Sequence, residues 1–133
     1  MTRRAAALVV LATLAGCTAV ASDRRDRSEA AELRDALKDR VAGQPQRCIQ
    51  PTRIDGPQII GQTLLYREGS RLWRTDPVDG CPSLRGDPII IAEVYGGQLC
   101  RNDRFRTLQR GGMTIPGPYC RYGDFTPYTR VKR

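Results

Sequence analysis

The 133-residue sequence contains no histidine. That absence removes the commonest general base near pH 7, every Ser-His-Asp or Cys-His nucleophile arrangement, and ordinary imidazole metal ligation. It also excludes the Cys/His amidases and transpeptidases that act on peptidoglycan. Lysine is nearly missing too: Lys38 and Lys132 stand against twenty arginines, so the excess of 22 basic over 14 acidic residues is an arginine excess. After residue 47 the only acids are Asp55, Glu68, Asp76, Asp79, Asp87, Glu93, Asp103 and Asp124, several of them beside Gly or Pro as turn formers are. Carboxylate-pair hydrolysis therefore has little to draw on, and no enzyme activity, cofactor or metal site is expected. No apolar run reaches the roughly 20 residues that cross a hydrocarbon layer as a helix. No RNP-like, zinc-finger or helix-turn-helix pattern occurs, so nucleic acid is not an expected partner despite a net charge of +8.

What is present starts at the N-terminus. MTRRAAALVVLATLAGC places Arg3 and Arg4 before an apolar run from Ala5 to Ala15, followed by small residues and Cys17. This charged, apolar, small-residue order is that of an export signal. Its end, Leu14-Ala15-Gly16-Cys17, resembles the lipobox of bacterial lipoproteins, in which the cysteine thiol receives diacylglycerol and cleavage leaves that cysteine first. The resemblance implies acylation of Cys17, removal of residues 1–16 and anchoring to a membrane, since two or more acyl chains exceed the roughly two-signal requirement for stable attachment. Thr18, where retention in the inner membrane favours aspartate, implies the periplasmic face of the outer membrane.

Five cysteines are an odd number. With Cys17 assigned to lipid, Cys48, Cys81, Cys100 and Cys120 remain in an oxidising compartment where thiols pair. None of their spacings gives a CxxC redox or zinc motif. Of the three connectivities, Cys81 with Cys100 and Cys48 with Cys120 is expected.

Residues 17–46 read as a lipidated tether. SDRRDRSEAAELRDALKDR is dense in charge, and Ala30, Leu33, Leu37 and Val41 form a stripe one residue wide, with Ser28 able to cap its start and Gly43 and Pro45 to end it. From Arg47 to Arg133 short apolar runs alternate with Gly and Pro about every ten residues, the signature of an all-β sandwich or barrel. The expected fold is mainly β, a small antiparallel sandwich or partly open barrel behind a helical or disordered tether. In TLLYREGSRLWRT, a turn at Gly69-Ser70 sets Glu68 against Arg71, Tyr66 against Trp73 and Leu64 against Thr75, with the aromatic face on the core. A second hairpin, PIIIAEVYGGQLCRND, turns at Gly96-Gly97 with Val94 opposite Leu99. Ile89-Ile90-Ile91 reads as a central strand covered on both faces. The tail from Arg110 is irregular, with one last short strand.

Cys48-Ile49, the first hairpin, GCPSLR, QLCRNDRFR and CRYGDFTPY are together similar to a family of small bacterial envelope proteins, often lipoproteins, with the order C…C-x-x-L…C-x-x-D…C-x-x-G-x-F. The resemblance spans Arg47 to Tyr128 and carries no activity with it. Its distinctive positions, Asp103 and Phe125, read as a turn cap and a core residue. A non-catalytic envelope binding module is the expected function, with a lysozyme-inhibitor-like lipoprotein as the alternative; the positive charge weighs against the latter. The expected partner is an anionic envelope component or an envelope protein. Arg67, Arg74, Arg101, Arg104 and Arg106 lie along or beside the proposed strands and are the candidates for anion binding. Composition bias predicts instead arginines scattered among Asp and Glu.

Overall fold

The computed structural model describes residues 5–112 and 114–132, with side chains from Val20 onward. Residues 1–36 and 37–133 form two separate compact units. The first is one helix, α1 (Ala5–Ala36), which runs through the apolar segment into the charged one. An Arg27–Asp23 pair one turn apart supports its exposed surface. Ser28 lies inside α1 rather than at its start, because the alanine-rich sequence on both sides of it favours continued helix. No helix among the described residues is long and apolar enough to cross a membrane.

After Ala36 the chain turns, with Asp39 in the left-handed region at φ 58°, and enters β1 (Arg40–Ala42). This strand pairs antiparallel with β10 (Thr126–Arg130), and the union continues through Gly43 N–H to Pro127 O and reciprocal bonds between Gln46 and Phe125. The β body therefore begins at Leu37, ten residues before the expected boundary, and Val41 belongs to a strand rather than to a helical stripe. Three residues are too few for a period-two pattern to register. Their pairing is made by backbone groups that sequence does not distinguish.

Three antiparallel sheets build the body. The largest has the order β1-β10-β5-β4-β3, where β3 is Gln58–Ile60, β4 Thr63–Glu68 and β5 Arg71–Thr75. The second pairs β2 (Cys48–Ile49) with β7 (Leu99–Cys100), and the third has the order β6-β8-β9, from Ile89–Ala92, Arg104–Leu108 and Cys120–Arg121. The sheets do not close into a barrel, and the arrangement is consistent with a small β-sandwich.

The first hairpin has the expected register, Glu68 on Arg71, Tyr66 on Trp73 and Leu64 on Thr75. Gly69 sits at φ 57°, as the first central residue of a type II′ turn requires. The second hairpin differs. Gly96 and Gly97 do make the turn, closed by a Tyr95–Gln98 bridge, but the ladder stops there. Leu99 pairs with Ile49 instead of facing Val94, and both side chains are buried. The chain then reverses again at Cys100–Asp103, where Asn102 takes φ 71° and the Asp103 carboxylate accepts a hydrogen bond from Cys100 N–H. Only β8, after that turn, runs along β6. The isoleucine run is consequently an edge strand, with Ile89 and Ile91 about two-fifths exposed. The strand buried on both faces is β4, where Leu64, Leu65 and Tyr66 are all inaccessible. The tail supplies two strands, β9 and β10.

The disulfides follow this topology: Cys48 bonds Cys100 and Cys81 bonds Cys120, opposite to the expected pairing. The expectation carried Cys100 back along β6 toward Cys81. The detour of Leu99–Cys100 onto β2 places Cys100 directly opposite Cys48, and Cys81 is left to meet Cys120 on β9.

Tyr122, Phe105 and Phe125 form the centre of the core, with ring centroids 4.6 Å and 5.7 Å from Tyr122. Full burial of such a side chain contributes about 1.5–3 kcal/mol, and offset aromatic pairs about 0.5–1.5 kcal/mol more. Tyr66 and Trp73 face this cluster as the hairpin register predicts. The Tyr66 and Tyr122 hydroxyls satisfy each other at 2.7 Å. Burial pushes both phenols up, Tyr66 to about 12 against the lowering effect of its bond to Tyr122. A folded-state pKa above the unfolded value means that the folded protein holds the proton more tightly, so this contribution is intact below about 10, the ordinary tyrosine value, and declines as pH rises from there. Alkaline unfolding should accordingly set in between about pH 10 and 12 and shift upward in Tyr66→Phe/Tyr122→Phe, as tyrosine absorbance with Trp73 fluorescence would record. Unfolding at the same pH in both proteins would contradict it.

Candidate binding surfaces

The arginine candidates fall on separate surfaces. On β8, alternation turns Phe105 and Thr107 into the core and Arg104 and Arg106 outward. Both guanidinium groups lie over the ring of Tyr119, 4.7 Å and 4.9 Å from its centroid. Arg104 also pairs with Glu93 at 2.9 Å, and Arg106 donates to the carbonyls of Gly117 and Pro116. Hydrogen bonds from Tyr119 and Tyr95, with the Arg104 charge, hold the Glu93 carboxyl below the usual carboxylate range. Exposed Ile89 and Ile91 of the neighbouring edge strand complete an outer face that is part cationic and part apolar.

Arg101 stands apart on the turn before β8, paired with Asp124 at 3.0 Å. Arg74 and Arg67 lie on the five-stranded sheet, and they share its face opposite the aromatic core. Arg74 is held by Asp76 at 2.9 Å, whereas Arg67 has no carboxylate within ion-pair distance among the described residues. Of the five candidates, then, Arg104 and Arg106 are brought together, Arg67 and Arg74 share another surface, and three are engaged by acids.

Two further arginines join Arg67. Directly opposed residues share a face, so the register Arg40 to Arg130, Ala42 to Tyr128, Tyr128 to Leu72 and Leu72 to Arg67 sets Arg40, Arg67 and Arg130 on one side of the sheet. Arg40 donates to Ser70 O at 2.6 Å and reaches Tyr128 O at 3.4 Å, which fixes its guanidinium over the strands between. Burial lowers the pKa of Arg40, and the charges of Arg130 and Arg67 lower it further. Sequence reasoning missed Arg40 because it stood in the presumed tether, Arg130 because it stood in the tail, and Tyr119 because no local pattern announces a stacking partner.

The Cys17 side chain and Arg3 and Arg4 lie outside the described residues. No protein-family model matches the chain, and the searches of curated proteins and of solved structures likewise found no match.

Proposed function

We propose that the chain is an exported lipoprotein held by acyl chains on Cys17 at the periplasmic face of a bacterial outer membrane, and that its β body is a non-catalytic module binding an anionic envelope component. The observation that carries the reading is the order of Arg3-Arg4, the apolar run and Leu14-Ala15-Gly16-Cys17. The cysteine arithmetic supports it: four of the five thiols are consumed in two disulfides of the body, which leaves Cys17 for another chemistry. So does the likeness of the C-x-x-L, C-x-x-D and C-x-x-G-x-F stretches to small envelope lipoproteins. Surface arginines supply the attraction for an anionic partner.

Cys17→Ser should leave the protein unprocessed or move it out of the acylated membrane fraction, with loss of labelled palmitate incorporation. Each buried acyl methylene contributes about 0.8 kcal/mol to anchoring, so removing the chains removes stable attachment. Wild-type protein that is soluble and takes up no label would refute the tether.

A further inference from the structure

Six arginines of the body, Arg71, Arg74, Arg101, Arg104, Arg110 and Arg121, each stand within 4.0 Å of a carboxylate. For these, composition bias is a sufficient account: cations lie among acids and neutralise them. Arg47, Arg53, Arg85 and Arg106 likewise have no carboxylate within that distance among the described residues, but the strand register gathers three such arginines, Arg40, Arg67 and Arg130, on one sheet face. None of the three has an acid within ion-pair distance among the described residues, and Asp39, adjacent to Arg40 in the chain, pairs with none of them. Instead like charges face each other, Arg40 directly across the β1–β10 ladder from Arg130, an arrangement that destabilises a sheet when nothing neutralises it.

We infer that Arg40, Arg67 and Arg130 form a binding site for a phosphate group, and that the group it takes is the headgroup phosphate of anionic phospholipid in the membrane to which the chain is tethered. The inference rests on the lipid-anchored reading above. Three features of the cluster and its tether favour this ligand. All three cations are arginines, whose planar fork of N–H donors matches phosphate oxygens in pairs, where lysine offers only a point charge. The Arg40 guanidinium is already held by Ser70 O and Tyr128 O, so little freedom is lost when an anion docks between it and its exposed neighbours. The headgroups are also within reach: Arg40 follows the last residue of α1 by four, and the segment from Cys17 spans at most about 45 Å at ~1.5 Å per helical residue and ~3.5 Å per extended one. Tethering at that range keeps lipid phosphate at a high effective concentration for the site.

The test uses the full chain carrying Cys17→Ser in every arm, so that no acyl chain contributes and the N-terminal segment is common to all. Co-sedimentation is measured with vesicles of phosphatidylglycerol and of phosphatidylcholine. Binding should favour phosphatidylglycerol and disappear as the Debye length falls from ~10 Å at 0.1 M salt to ~3 Å at 1 M. Arg40→Gln/Arg67→Gln/Arg130→Gln should weaken it about a hundredfold, and Arg67→Gln alone about fivefold. The single variant removes an exposed guanidinium with no side-chain partner among the described residues and so keeps the test valid if the triple variant unfolds. Arg71→Gln/Arg110→Gln/Arg121→Gln, which removes the same charge from paired positions outside the candidate set, should stay within about twofold. An equal loss in the two triple variants, an Arg67→Gln chain that binds as the parent does, or no preference for phosphatidylglycerol would overturn the inference. Inorganic phosphate at constant ionic strength should not displace the vesicles; displacement would assign the site to free phosphate and overturn the lipid assignment. Failure here leaves acylation of Cys17 untouched, and an unacylated protein that still shows this arginine-dependent binding would overturn only the tether.

Discussion

Gly123→Ala is expected to lower the melting temperature of the body by about 12 °C or more, corresponding to about 3 kcal/mol at ~4–8 °C per kcal/mol for a domain of this size. A Cβ at Gly123 would overlap the carbonyl oxygen of Asp76, and the obstacle is backbone. Gly123 is itself buried and lies between Tyr122 and Phe125, both fully buried in the core, so the clash cannot be relieved toward solvent. Overpacking a tight site forces backbone shifts that cost about 1–3 kcal/mol and occasionally more; this one belongs at the upper end. Gly56→Ala is the matched control, because its Cβ meets nothing within 4 Å, and it should stay within about 0.5 kcal/mol of the parent. Thermal melts of the two variants decide the matter. Equal melting temperatures would mean that Asp76 and Gly123 are not packed as described.

Removal of the Cys81–Cys120 bridge, as Cys81→Ala/Cys120→Ala, should cost about 4 kcal/mol from loop closure in the chain-entropy description, for a sequence separation of 39. Both cysteines are buried against the core, so lost packing adds to that figure. Cys48–Cys100 closes a longer segment, with a separation of 52, but joins a two-stranded ladder at a half-exposed position. Its loss should cost a similar entropy with less packing. Denaturant unfolding of the two double variants gives the order. Peptide mapping without reduction verifies the pairing itself, and a Cys81–Cys100 peptide would contradict the fold described here.

Those bridges show where the sequence was legible and where it was not. The first hairpin was readable to the residue because its cues are local: a glycine at the turn and alternating apolar positions on both arms. The four body cysteines were recognisable as structural because their spacing suits nothing else. Their connectivity was not, because it depends on Leu99 and Cys100 leaving the β6 side to bury Leu99 with Ile49, fifty residues away in sequence. The same non-local pairing hid β1 inside a segment that reads as tether, and turned an apolar run expected at the centre into an edge.

The stretches that follow the body cysteines were legible in a different sense. Leu84 is buried in the core, Asp103 caps the turn after Cys100, Gly123 permits the approach to Asp76, and Phe125 fills the interior. Leu84, Asp103, Gly123 and Phe125, the residues that follow those cysteines, are thus accounted for by folding. A pattern so fully explained by packing points to no ligand. The arginine cluster was invisible for the opposite reason: Arg40, Arg67 and Arg130 are brought to one face only by the order β1-β10-β5-β4, and no spacing in the chain foreshadows it.

The tether is tested most directly by the intact mass of the protein isolated from the membranes of its own host. Acylation at Cys17 predicts a chain that begins at Cys17 and carries diacylglycerol, with or without a further acyl group on its new N-terminus. A chain that begins elsewhere, or begins at Cys17 with an unmodified thiol, would contradict it.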